Sequence, residues 1–91
     1  MKTAKQLERH FKGVANHRRI EILFLIHERD GIVLEDVAKE LGGNIKTISE
    51  HTRRLLSAGL INKKYEGRKV AHSLSPYGMR MIKLLSTFSH S

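Results

Sequence analysis

The sequence predicts a mainly helical fold completed by one small β-hairpin, an α+β arrangement forming a single domain over residues 1–91. Three observations lead there. Apolar residues recur at spacings of three and four in several separate segments, the mark of amphipathic helices. Two short runs suited to strands flank Glu66-Gly67, where the glycine supplies the positive φ of a tight turn. Two further helical patterns meet across Gly42-Gly43, a turn of about three residues.

Taken in order, Thr3 with Gln6 makes a capping-box pattern that opens a first helix. Ala4, Leu7, Phe11 and Val14 form its single apolar stripe, and Gly13 is expected to end or loosen it. Asn16 suits the cap of a second helix from His17 to about Glu28. Its apolar set, Ile20 and Ile22 to Ile26, covers most of the circumference and marks the most buried element. Asp30-Gly31 signals a turn, and Ile32-Val33-Leu34 is a short strand at best. A third helix is expected from about Asp36 to Leu41, with Val37, Ala38 and Leu41 inward and Gly42 in the left-handed position past its end. Asn44 caps a fourth helix that runs to about Ala58 and stops at Gly59. LINKKY and RKVAHSL, residues 60–65 and 68–74, are the hairpin strands. Ser75-Pro76 opens a last helix with Met79, Ile82, Leu85 and Phe88 in one line and Met81 and Leu84 beside it.

Composition narrows the function classes. Seventeen Lys and Arg against nine Asp and Glu give a net charge of +8. That balance suggests a polyanionic partner, although a ribosomal or membrane-surface protein would show it too. With 40% apolar residues the chain should fold rather than act as a basic tail. There are no cysteines, which excludes disulfides, thiolate metal sites and cysteine nucleophiles. Ile20–Ile26 is far too short to span a bilayer, and the N-terminus lacks the apolar region of a signal peptide. The expectation is a cytoplasmic protein with no membrane partner.

Two helices joined by a short turn and followed by a basic hairpin are the outline of a winged helix-turn-helix. The helix-turn-helix covers about 35–58 and the wing about 60–74. In VAKELGGNIKTISEHTRRL, Ala38 sits where a larger side chain would hold the helices apart, and Ile48 sits where the second helix must bury an apolar group. On these residues the sequence resembles the ArsR-type winged-helix repressors. FKGVANHRRIEIL is similar to that family's opening segment, TISEHTRRLLSAGLI to its recognition helix and exit into the wing, and EGRKVAHSLSP to its wing and the step into the final helix. The resemblance implies a dimeric, DNA-binding transcriptional regulator, with repression favoured over activation.

Advancing about 100° per residue from Ile48 turns Ile45, His51, Thr52, Leu55, Leu56 and Gly59 toward the core. Lys46, Glu50, Arg53 and Ser57 gather at the opposite pole, with Ser49 on one flank and Thr47 and Arg54 on the other. A helix in the major groove reads with its N-terminal part, so Asn44, Lys46, Thr47, Ser49, Glu50 and Arg53 are the candidates, with Arg54 beside them. Lys46 and Arg53 suit guanine edges or phosphates, and Asn44 suits adenine. Glu50 has two readings: it accepts from a cytosine amino group, or it holds Lys46, Arg53 and Arg54 in place. Positioning is favoured because base contacts from Glu are the rarer kind. In the wing, Lys63, Lys64, Arg68 and Lys69 surround Gly67, and Arg68 suits a narrow minor groove. Tyr65 stands where the resembling family often has another basic residue. The bland alternative for both elements is a solvated basic surface.

Metal ligation and catalysis find no support. The six histidines show no i, i+3 or i, i+4 pairing. The last helix lacks the Asp, Glu or His that the family's interfacial metal site would need, and a His10–His90 cluster across a dimer is unsupported. Ser49 and His51 point in different directions, and Gly42-Gly43 is a turn rather than a phosphate loop. No cofactor is expected.

Helices about 3–14 and 76–88 are expected to form a dimer interface through Leu7, Phe11, Ile82, Leu85 and Phe88, since these stripes would otherwise form a large exposed patch. A two-fold dimer would set two recognition helices about one turn of DNA, ~34 Å, apart. The alternative is that the stripes close the monomer's own core. Two other functions compete with the regulator: a winged-helix module that binds a partner protein, and an RNA-binding protein. The last would favour more exposed aromatics than this chain has. The effector, operator and regulated genes are not legible.

Overall fold

The capping box forms as its residue types require: Thr3 Oγ1 accepts from Gln6 N at 3.2 Å, and Gln6 Oε1 accepts from Thr3 N at 2.8 Å. From there a computed structural model, which describes residues 1–89, places the elements. They are α1 (Ala4–Val14), α2 (His17–Glu28), β1 (Ile32–Val33), α3 (Leu34–Leu41), α4 (Ile45–Ser57), β2 (Ile61–Glu66), β3 (Lys69–Leu74) and α5 (Pro76–Ser89). The fold is mainly α with a small antiparallel sheet, a winged helix-turn-helix.

Local signals account for most boundaries. Asn16 Oδ1 accepts from Arg18 N and Arg19 N and starts α2. Gly42, at φ 67°, ends α3 in the left-handed region, and the N–H of Gly43 bonds back to the Ala38 carbonyl. Gly67, at φ 64°, lets Glu66 pair with Lys69 across a two-residue turn. Ser75 Oγ accepts from Gly78 N at 3.0 Å and donates to the Gly59 carbonyl at 2.6 Å, tying the start of α5 to the end of α4.

Three local expectations change. Helix α3 begins at Leu34, two residues before Asp36, with Glu35 and Asp36 in its first turn where the helix dipole favours them. The isolated strand is the edge of a three-stranded sheet, order β1-β3-β2, with Ile32 opposite His72. Gly13 does not end α1. It is buried inside it, where a Cβ would overlap the Cβ of Ala58, so its missing side chain lets α1 cross the end of α4 at close range.

The core is centred on α2, whose Ile22, Leu23 and Ile26 are wholly buried against Val37, Ile48, Leu55, Leu60 and Ile61. This position, touching helices on several sides, explains the helix's nearly all-round apolar sequence. Ile45 and Leu56, expected inward, are exposed, since both stand toward the edge of the buried face of α4. Ile82 is a further correction. It is 4% exposed and belongs to the chain's own core, and Leu85 packs half-buried against that core, because α5 lies on α2. Neither forms the free outer stripe expected of an interface. Leu7, Phe11 and Phe88 do stay exposed, at 45%, 49% and 70%. Among the described residues, no helix is long and apolar enough to cross a membrane.

Candidate nucleic-acid interface

Asn44 starts α4 by accepting from Lys46 N at 2.8 Å and Thr47 N at 3.4 Å. That commits its side-chain oxygen to the cap, whereas a bidentate adenine contact needs oxygen and nitrogen together. As placed, Asn44 offers only its amide N–H groups. Ile48, Thr52 and Leu55 anchor the helix from behind, and Thr52 Oγ1 donates to the Ser49 carbonyl at 2.8 Å. Lys46, Thr47, Glu50, Arg53 and Arg54 are exposed, and Ser49 is half-buried at their edge.

Glu50 organises this face. Its Oε1 accepts from Arg53 Nη2 at 2.6 Å and from Arg54 Nε at 3.1 Å, and its Oε2 accepts from Arg53 Nε at 2.9 Å. Hydrogen bonds from Arg53, then Arg54, hold its carboxyl down at about 2. Lys46 takes no part in these pairs, so of the three cations assigned to Glu50 it holds two. Of the five N–H donors of Arg53, two are engaged and three remain for a ligand.

The wing stands beside the helix. Lys63 of β2 is half-buried, and burial first, then the positive charge of Arg53, lowers its pKa. Strand β2 packs against α4. Lys64, Tyr65, Arg68 and Lys69 are exposed along the rest of the hairpin. His72 lies opposite Lys63 and is 1% exposed. Its Nδ1–H donates to the Ile32 carbonyl at 3.0 Å, and its Nε2 is buried without a partner.

Burial lowers the pKa of His72, partly offset by the Ile32 hydrogen bond. Burial and the nearby Arg19 and Arg18 also lower that of His51. In the unfolded chain both titrate near the ordinary 6.5. The unfolded state therefore binds more protons below that pH, and the stability present above it is lost as pH falls toward the folded pKa values. Urea midpoints should drop between pH 7.5 and 5.5. His72→Asn, which keeps a donor for Ile32, should flatten that dependence; an unchanged slope would show that His72 is not held neutral.

Two contributions were missed in the sequence. Arg18 Nη1 donates to the Leu41 carbonyl at 3.0 Å, pinning α2 to the end of α3 at the helix-turn-helix turn. Arg19 and its neighbours on α1 form a second basic surface beside Arg54. The run His17-Arg18-Arg19 just after a helix cap was the available signal. Among the described residues no three His, Asp or Glu converge as a metal site, and His90 lies outside those residues.

The family model HVO_A0114 matches residues 14–78, well over half of the chain. The chain belongs to the HVO_A0114 family. Solved structures similar to this family member include the homodimeric winged helix-turn-helix DNA-binding domain Mb0332 of Mycobacterium bovis, described as a possible ArsR-family transcriptional regulator. It is 28% identical, with 94% of this chain and 80% of that one covered and a TM-score of 0.85. HlyU from Vibrio cholerae is 25% identical over 97% of this chain and 96% of its own, with a TM-score of 0.85. The transcriptional regulator HlyU of Vibrio vulnificus is 27% identical over 93% and 88%, with a TM-score of 0.77. The ArsR-type likeness read from the sequence therefore holds for this HVO_A0114-family chain along nearly its whole length.

Proposed function

We propose that this chain is a sequence-specific, double-stranded-DNA-binding transcriptional regulator, working as a dimeric repressor in the cytoplasm and not as an enzyme. The observation that carries the reading is the exposed stripe of α4: Lys46, Arg53 and Arg54 stand outward, two of them braced by Glu50, beside a cationic hairpin. Ordering two guanidiniums before contact lowers the entropy lost on binding. On this reading α4 enters the major groove while Lys63, Lys64, Arg68 and Lys69 follow the backbone, with Arg68 at the minor groove. Regulators similar to it in structure, among them the homodimeric DNA-binding domain Mb0332, support the assignment. The dimer would form on α1 and α5, where Leu7, Phe11, Met79, Leu84 and Phe88 leave apolar surface that a two-fold mate would cover.

The test is a fluorescence-anisotropy titration of duplexes from an unbiased selection, repeated over a range of salt. Neutralising roughly six to ten phosphates per dimer should give log K a slope of about −5 to −9 against log salt. A selected duplex should bind far more tightly than a scrambled one. Glu50→Gln should weaken both duplexes alike if Glu50 positions the arginines; a changed preference at one base pair would make it a base reader instead. Equal binding of selected and scrambled duplexes would sink the regulator reading and favour a protein-binding module.

A further inference from the structure

A second cationic site lies beside the recognition helix, and the helix crossing builds it. At the point where Gly13 lets α1 touch Ala58, Arg9 and Lys12 stand four and one residues before the glycine. Arg54 and Ser57 stand four and one residues before the alanine. Arg9 and Lys12 are three residues apart, as are Arg54 and Ser57, a spacing that puts each pair on one helix face, so the close crossing brings the two pairs together. Asn16, by capping α2, sets Arg19 into the same space. The result is a cleft of about 190 Å3 walled by Arg9, Lys12, Arg19, Arg54 and Ser57.

The charges there are not balanced. Lys12 pairs with Glu8 at 2.8 Å and Arg54 with Glu50 at 3.1 Å. Arg9 and Arg19 have no carboxylate partner among the described residues. Arg19 Nε is shielded from solvent without a hydrogen-bond partner. A shielded guanidinium N–H lacking an acceptor is costly and rare in folded proteins, and an acceptor supplied by a ligand removes that cost. The guanidinium fork matches a pair of phosphate oxygens, and the Ser57 hydroxyl adds a donor.

Two features decide where the phosphate group comes from. Glu50 links the cleft to the outward stripe, since the same carboxylate holds Arg53 of the stripe and Arg54 of the cleft wall. The cleft also faces away from the exposed apolar side of α1: at about 100° per residue, Arg9 and Lys12 stand roughly 160° and 140° from Leu7. A subunit docked on Leu7 and Phe11 would leave it open.

We propose that the cleft of Arg9, Lys12, Arg19, Arg54 and Ser57 binds a backbone phosphate of the duplex, beyond the reach of the N-terminal half of α4 and of the wing. This rests on the DNA-binding reading above and extends its footprint to α1 and α2. The contact carries no base information, so it tightens every sequence equally.

The experiment measures duplex binding against salt for Arg9→Gln and Arg19→Gln, with thermal melts to confirm folding, and follows the Arg19 Nε–Hε resonance of the unmodified protein by NMR. Each variant should weaken selected and scrambled duplexes by the same factor, roughly tenfold, and reduce the salt slope by about two, one for each subunit of the dimer. The Arg19 resonance should shift on adding duplex. Arg9 is exposed, so its variant keeps the test open if Arg19→Gln fails to fold. A folded Arg9→Gln with unaltered slope, while Lys46→Ala loses binding, would overturn the cleft and leave the regulator reading standing. A resonance moved by inorganic phosphate but not by duplex would overturn the backbone assignment and make the cleft a site for a free phosphate compound. Failure to distinguish selected from scrambled duplex would sink the regulator reading without touching the slopes on which the cleft is judged.

Discussion

Lys46→Ala and Arg53→Ala are each expected to weaken operator binding by roughly 1–3 kcal/mol, about five- to 150-fold. The two losses should differ in kind. Lys46 stands in the first turn of α4, in neither of the ion pairs of that helix, and is free to meet a base edge or a phosphate. If it reads a base, its removal relaxes preference at one position. Arg53 has Nε and one Nη committed to Glu50, which leaves donors better suited to phosphate oxygens than to a full guanine fork. Its removal should therefore weaken all duplexes alike. It also leaves Glu50 with Arg54 alone, turning partly uncompensated negative charge toward the DNA. Removing Glu50 as well should then recover part of the loss. Anisotropy on the two single variants and the Arg53–Glu50 double variant checks this, and undiminished binding by both single variants would end the assignment of this face.

Gly13→Ala is expected to destabilise the fold by roughly 1–3 kcal/mol, even though alanine is the better helix former. The propensity gain is at most about 1 kcal/mol. Against it, the new methyl overlaps the Ala58 Cβ, which is fixed to the end of α4 and cannot rotate away, with the Arg54 carbonyl oxygen 3.4 Å off on the same side. The helices must separate, and α1 leaves its seat. In a domain of this size that is a fall in Tm of roughly 4–8 °C for each kcal/mol. Ala58→Gly removes the obstructing methyl, so the Gly13→Ala, Ala58→Gly double variant should melt above Gly13→Ala alone. A Gly13→Ala protein as stable as the parent would show that α1 is not held at Ala58, and would remove the crossing on which the phosphate cleft depends.

What was legible in the chain was whatever neighbouring residues settle among themselves. A capping oxygen and the N–H it accepts lie two or three residues apart, so Thr3, Asn16 and Asn44 announce their helices wherever these end up. The positive φ at Gly42 and Gly67 is a property of one residue, and the Glu50–Arg53–Arg54 brace spans a single helical turn. The winged helix-turn-helix and its outward stripe followed from these short-range constraints. What helical periodicity cannot say is which apolar stripe an element buries at home and which it leaves outside. Met79 and Ile82 stand three residues apart on one side of α5, yet contact with α2 buries the second and leaves the first exposed. The touch of Gly13 on Ala58, the Arg18 bond to Leu41 and the meeting of Arg54 with Arg9 and with Arg19 all join residues more than twenty positions apart. Such meetings exist only once the helices have packed. Local chemistry decided that this chain builds a recognition helix and a wing, and packing around α2 decided which cations stand together beside them.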